Sequence, residues 1–494
     1  MTIDNLSDDV LLEIFDLYLI LDDDWPWHNP PNTWYALVHV CRRWRSLVFA
    51  SPRRLNLRLV YEGHDPMSKL LGTWPVLPII LRSSDRGLRR PKSDQRWDNR
   101  VAALESEHYN LIREIYIFDM TNSRWKRFVA AMQKPFPELT HLRIFVEDNM
   151  APPVLPDSFL CGSAPRLREL SLGSVPFPSM PKLLLSANGL VTLSFKNVPD
   201  SGYIPPDAMA TALTVMTRLE TLRIGFYFVR SHLDLVGRPL PPSTPFVLPA
   251  LTKLTFIGVY KYLEDLLARI DAPLLCDLQT EFLMDFNFDV PQLHRFIAHA
   301  EAFKAHGHAE LLISPYLLGL SLYPKTRVVN HPPLFKLRIT CGESDPQLPP
   351  LAKICSSFFP LISALEELQI GEHEHDDLPS TYWSDVMENA QWLELLYPFT
   401  GLKNLYLTHD ITQRVYGAFQ ELSGERATEV LPALRNIFVD GFWSFEHMVQ
   451  EAFRPFVAAR QLSGHPVTIK HWRRENPKID KYCPFPFQSH LLSS

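Results

Sequence analysis

The sequence predicts an α/β chain: a short all-helical N-terminal module, then strand–loop–helix units that repeat along a curved parallel sheet. Three observations predict it. Residues 6–48 carry two apolar stripes at helical spacing. From about residue 112 a pattern, apolar-x-x-apolar-x-apolar, returns eleven times at intervals near 30 residues. Proline stands two residues before the first apolar position in six of those eleven, at Pro137, Pro165, Pro249, Pro273, Pro332 and Pro432.

In the N-terminal stretch, Leu6, Val10 and Ile14 fall four apart with Leu11 and Phe15 beside them, so a helix sets them on one face. Ser7 is placed to cap that helix, and Asp8 and Asp9 occupy its first turn, where the helix dipole favours anions. Trp34, Leu37, Val40, Cys41, Trp44 and Val48 recur at three or four, with Arg42, Arg43 and Arg45 leaving that stripe. About 45 residues bury little surface alone, so such a module is marginal unless it docks on something. Leu55, Leu57 and Leu59 alternate with polar residues and predict a short strand, while Arg82–Arg100 reads as a solvated basic linker.

The strand pattern starts at Ile112, Leu139, Leu167, Leu190, Leu219, Leu251, Leu275, Leu334, Leu365, Leu402 and Leu434. The long gap between the units at Leu275 and Leu334 leaves room for a degenerate unit near Phe303–Ile313. Three apolar positions recur by chance in a leucine-rich chain; the prolines decide it. At 43 of 494 residues, about 9%, proline should precede one of eleven units rather than six. Proline there ends a helix and biases its predecessor to extended geometry. Between strands, Pro206 opens a helical pattern through Met209, Leu213 and Met216; Leu263, Leu266, Leu267 and Ile270 form another, Leu293, Phe296 and Ile297 a third, and Trp383, Val386 and Met387 a fourth. Phe445, Met448, Val449, Ala452, Phe453 and Phe456 predict a last helix, and Pro466–Ile469 a terminal strand.

Leu-Ser-Asp-Asp-Val-Leu-Leu-Glu-Ile-Phe at 6–15, with Val-Cys-Arg-Arg-Trp-Arg at 40–45 and Ser51-Pro52, closely resembles the F-box. That resemblance implies three short helices that insert into a Skp-type adaptor, which bridges to the cullin scaffold of a ubiquitin ligase. The implied adaptor contacts are Leu6, Val10, Leu11, Ile14, Phe15, Leu37, Val40, Cys41 and Trp44. Ser7 stands where the family usually has proline, and 21–33 is longer than the usual connection. The units near 30 residues resemble leucine-rich repeats, whose single units cannot bury their apolar face and so stack as a solenoid. They lack the family's Asn eight residues after the first Leu, which predicts irregular curvature. The whole resembles fungal F-box proteins as a class. The expected division is F-box 1–55, linker and first strand 56–105, solenoid 106–440, C-terminal cap and tail 441–494.

Net charge is 49 − 55 = −6, too balanced to point to nucleic acid or an anionic membrane. Six cysteines at 41, 161, 276, 341, 355 and 483 form no Cys-x-x-Cys pair and read as reduced thiols. The start is acidic, without the basic region of a secretory signal, and no apolar run approaches a membrane span, so a cytoplasmic or nuclear protein is expected.

No Gly-rich phosphate loop and no Gly-x-Ser-x-Gly occurs. His373-Glu374-His375-Asp376-Asp377 reads as a polar loop, and His299, His306 and His308 as surface or satisfied histidines. No catalytic residue, metal or cofactor is expected. The resemblance implies a substrate receptor, and a non-degradative scaffold that binds the adaptor is the alternative. Residues alternating with the buried strand positions would line a concave face for a protein substrate: Tyr116, Phe118, Arg143, Phe145, Arg223, Arg338, Tyr406 and Phe438.

Overall fold

The computed structural model describes residues 5–20, 34–83, 94–146, 154–177, 182–226, 244–283, 290–314, 317–325, 332–340, 362–372, 388–422, 424–440 and 446–472. It is a mixed α/β structure with mostly parallel strand pairing. The chain forms two compact units, Met1–Leu251 with Ala268–Asp271, and Thr252–Leu267 with Ala272–Ser494. This division differs from the four segments read from sequence, because the N-terminal helices share unit one with the strands that follow them.

Unit one begins with helices α1 (Asp8–Ile20), α2 (Trp34–Val40) and α3 (Arg42–Ala50). Ser7 Oγ accepts from the Val10 amide at 3.4 Å, the predicted cap. The second apolar stripe is not one helix. Cys41 is extended, at φ −156° and ψ 173°, and its sulfur accepts from the Trp44 amide, so it caps α3 and breaks the chain from α2. Leu11 and Phe15 are fully buried, and the Phe15 and Trp44 rings meet at 4.7 Å. Arg43, off the apolar stripe, folds back to Asp8 at 2.7 Å and ties α3 to the start of α1. Trp34 donates to the Arg58 carbonyl at 2.9 Å, and Tyr35 stacks on Trp74 at 4.4 Å. Burial there pushes the Tyr35 hydroxyl up to about 12.

The strands of unit one's sheet are β1 (Leu59–Tyr61), β2 (Ile79–Arg82), β3 (Ile112–Met120), β4 (His141–Val146), β5 (Glu169–Gly173), β6 (Thr192–Val198) and β7 (Thr221–Phe226). They pair parallel in sequence order from β1 to β7. The predicted strand at Leu55–Leu59 is instead a turn with buried Leu55 and Leu57, and only Leu59 starts β1. Helices α4 (Met67–Thr73) and α5 (Asp94–Glu105) follow β1 and β2. The predicted linker 82–100 therefore ends inside a helix, where Trp97 and Arg100 are buried. Helices α6 (Asn122–Ala131), α7 (Lys182–Ser186) and α8 (Pro206–Leu213) lie between later strands, α8 opening at proline as predicted.

Strands β8 (Phe246–Val247), β9 (Lys253–Gly258) and β10 (Ile270–Asp271) come next; β8 pairs with β10 in unit one, and β9 opens unit two. Helix α9 (Tyr260–Leu267) stops before Ile270, which lies in β10 rather than on the predicted helix. Unit two continues with β11 (Asp277–Leu283), α10 (Pro291–His299), β12 (His306–Ile313), β13 (Leu317–Pro324), β14 (Phe335–Thr340) and β15 (Glu367–Glu372). It ends with α11 (Asn389–Leu396), β16 (Asn404–Leu407), α12 (His409–Glu421), β17 (Asn436–Asp440), α13 (Glu446–Leu462) and β18 (Thr468–Trp472).

All eleven predicted units enter strands, and every pattern position except Leu334 is buried. Thr280 fills the third position of β11, and its hydroxyl donates to the Lys336 carbonyl at 3.4 Å, as a buried hydroxyl requires. The degenerate unit is β12, but it is not the next neighbour of β11. β11 pairs with β14, β14 antiparallel with β13, β13 antiparallel with β12, and β12 with β15. Ser314 and Leu317 exchange both backbone hydrogen bonds, so the chain reverses at once after β12. That hairpin inserts one reversed strand into a parallel sheet. The Trp383–Met387 helix and Phe445, the first residue of the last predicted helix, lie outside the described residues.

Glu264 of α9 accepts from the Gln292 and Leu293 amides at the start of α10, both at 2.8 Å. This carboxylate serves as the cap that α10 lacks in its own sequence. Glu264→Ala is expected to lower unfolding free energy by roughly 1–2 kcal/mol, measured by urea titration.

Candidate functional site

Helix α1 has two apolar faces with opposite fates. Leu11, Leu12 and Phe15 are buried within the module. Val10, Ile14, Leu17 and Tyr18 follow i, i+4, i+7, i+8 and are 44%, 41%, 63% and 43% exposed. At the junction of α2 and α3, Val40 is 57% exposed and Cys41 is also exposed, whereas Leu37 is buried. Leu6 and Trp44 are half-buried.

Of the nine predicted contact residues, then, Val10, Ile14, Val40 and Cys41 present surface, while Leu11, Phe15 and Leu37 hold the helices together. A helix needs one stripe for its own core, and the sequence reading assigned both stripes to the partner. Leu17 and Tyr18 were missed, although they continue the Val10–Ile14 spacing. A single exposed apolar side chain is ordinary, but four on one helical face form a patch that water leaves uncompensated.

The alternating strand residues fall in both units. In unit one, Tyr116, Arg143, Ser171, Ser194 and Arg223 are register neighbours on successive strands. This row is not an open aromatic face. Tyr116 is 8% exposed, its hydroxyl donates to Glu114 at 2.9 Å, and the Arg143 guanidinium lies 5.4 Å from its ring centre. Burial and the Glu114 carboxylate push the Tyr116 hydroxyl well above its ordinary range. Arg143 makes a two-pronged pair with Glu169, with Nη2 to Oε2 at 2.8 Å, and Arg58 pairs with buried Glu114 at 2.6 Å. His141 stands between the two carboxylates, and burial lowers its pKa despite them. Phe145 lies flat on Gly173 of the next strand, where a Cβ would come within 2.1 Å of its ring. Phe118 and Arg223 are half-buried.

In unit two, Gln369, Tyr406, Phe438 and Lys470 form one cross-strand row. The Tyr406 and Phe438 rings stack at 4.5 Å, Trp472 meets Tyr406 edge-on at 5.2 Å, and Lys470 lies over Phe438 at 5.6 Å. Tyr406 is thereby buried, and Phe438 and Arg338 are half-buried. A parallel row hydrogen-bonds along its length, Asn404 to Glu367 at 3.3 Å, Asn436 to Asn404 at 2.8 Å and Thr468 to Asn436 at 2.8 Å. Both faces are thus largely occupied by their own cross-strand contacts. Alternation predicted which residues share a face, but not that stacking would cover Tyr116 and Tyr406.

Among the described residues no His, Cys, Asp or Glu cluster could hold a metal, and no helix is long and apolar enough to cross a membrane. His373–Asp377 lies outside the described residues. His306 contacts the Phe303 carbonyl, and His308 lies 3.7 Å from Glu367. In comparisons with known proteins, the chain matches no family model and no curated relative.

Proposed function

We propose that this protein is the substrate-recognition subunit of a Skp–cullin–F-box ubiquitin ligase, with α1–α3 as the F-box and the strand–helix units as degenerate leucine-rich repeats. The observation that carries the reading is the division of α1: one apolar face seals the module, and Val10, Ile14, Leu17 and Tyr18 stay exposed for a second polypeptide. The Skp-type adaptor covers that stripe together with the α2–α3 junction at Val40 and Cys41. The chain then needs no reacting side chain of its own. It raises the effective concentration of a substrate lysine beside the conjugating enzyme carried by the cullin.

The test is direct. Full-length protein and a purified Skp-type adaptor are mixed and resolved by size-exclusion chromatography, with a stoichiometric complex expected. Absence of a complex overturns the reading. Ubiquitination of captured partners in the reconstituted ligase then separates a degradative receptor from a scaffold.

A further inference from the structure

A groove of about 650 Å³ crosses the entry edges of the strands in unit one. Two staggered rows of side chains line it. The residues immediately before the paired segments supply Arg113, Thr140 and Arg168, joined in register by the Thr140 amide to the Arg113 carbonyl and the Arg168 amide to the Thr140 carbonyl, both at 2.8 Å. Two residues earlier in each unit stand Glu138, Arg166, Gly189 and Arg218.

Four arginines face one carboxylate. Arg166 pairs with Glu138. The guanidinium groups of Arg113, Arg168 and Arg218 have no carboxylate partner among the described residues. Gly189 keeps the floor low between Arg166 and Arg218, since a Cβ there would come within 3.2 Å of the Pro165 carbonyl oxygen. Val76, 73% exposed, stands with Pro78 on one side as an apolar wall.

We infer that this groove binds an extended acidic segment of a partner protein. Arg113 and Arg168 are two strands apart, as are Arg166 and Arg218, and two strand spacings are roughly 10 Å. An extended peptide in the polyproline-II conformation makes one turn in three residues and advances about 9 Å in that turn, so carboxylates at every third position share a face and meet successive guanidinium forks. The apolar wall suits the aliphatic parts of such a segment. Nucleic acid fits less well: among the described residues the lining offers no aromatic platform for bases. The groove and the α1 stripe are separate features, so this proposal stands whether or not the adaptor binds.

The probe is a fluorescein-labelled peptide of four Glu-Gly-Ser repeats, titrated with full-length protein by fluorescence anisotropy. Wild type should bind it, more weakly as salt rises, and should not bind the same peptide with Gln for Glu. Arg113→Glu/Arg168→Glu should weaken binding by roughly tenfold or more, because two attractive contacts become repulsive. The exposed Arg218→Gln should weaken it about threefold and serves as the second variant if the double reversal fails to fold. Arg53→Glu/Arg454→Glu, the same charge change at exposed positions outside the groove, should leave it unchanged. The proposal is overturned if wild type ignores the Glu peptide, if the folded groove variants bind as wild type does, or if an oligouridylate binds more tightly than the peptide.

Discussion

Arg460→Ala is expected to lower the unfolding free energy of unit two by about 3–5 kcal/mol in urea titrations followed by circular dichroism. Arg460, on α13, is completely buried. Its Nη1 donates to the Ala427 carbonyl at 3.2 Å, and its Nη2 to the carbonyls of Leu434 at 2.9 Å and Pro432 at 3.3 Å. Those acceptors belong to the turn that delivers the chain into β17, and Leu431 within it adopts a left-handed φ of 53°. Such a backbone costs of order 1 kcal/mol in a residue with a Cβ and persists only where its surroundings hold it. Truncation removes three donors at once and leaves buried carbonyls unpaired, at roughly 1–3 kcal/mol each, beside a cavity. Lysine should rescue little, because an ammonium on a single stem cannot reproduce the spread of the guanidinium. A loss below about 1 kcal/mol would mean that water satisfies those carbonyls and that Arg460 is not what holds the turn.

The repeat was legible because two independent signals coincide. The apolar triplets mark what each strand buries, and the preceding prolines mark where it starts, as at Pro165 before Leu167 and Pro432 before Leu434. Strand direction and spatial order were not legible. Leu318, Leu320 and Leu322 alternate as any strand does, and nothing in alternation separates a reversed strand from a parallel one; only the short span between β12 and β13 carries that information. The helix break at Cys41 was hidden for a similar reason, since the apolar spacing runs through it and the sulfur cap is visible only as geometry. The arginine groove escaped because its residues flank the first apolar position of each strand pattern, where periodicity treats them as unassigned polar positions. Aligning the units on their first apolar residue would have shown Arg113, Arg168, Arg166 and Arg218 at two recurring offsets.

Neighbouring substitutions on α1 should separate docking from folding. Ile14→Asp/Leu17→Asp is expected to reduce Skp-type adaptor affinity by about a hundredfold or more, measured by titration calorimetry, with little change in thermal midpoint. Ile14 is 41% and Leu17 63% exposed, so an aspartate at either position can reach water in the free protein but is desolvated without a partner in the complex. Phe15→Ala, one position away, should do the reverse in cause. Its ring is fully buried against Trp44, and truncating a buried Phe costs about 3–5 kcal/mol. A module of three short helices has little margin for that, so adaptor binding falls only as the folded fraction falls and recovers on cooling toward the temperature of maximum stability. The two variants thus differ in what restores binding: no temperature rescues the aspartates. Undiminished affinity in the double-aspartate protein would show that the exposed stripe takes no part in docking, and the assignment of α1 would go with it.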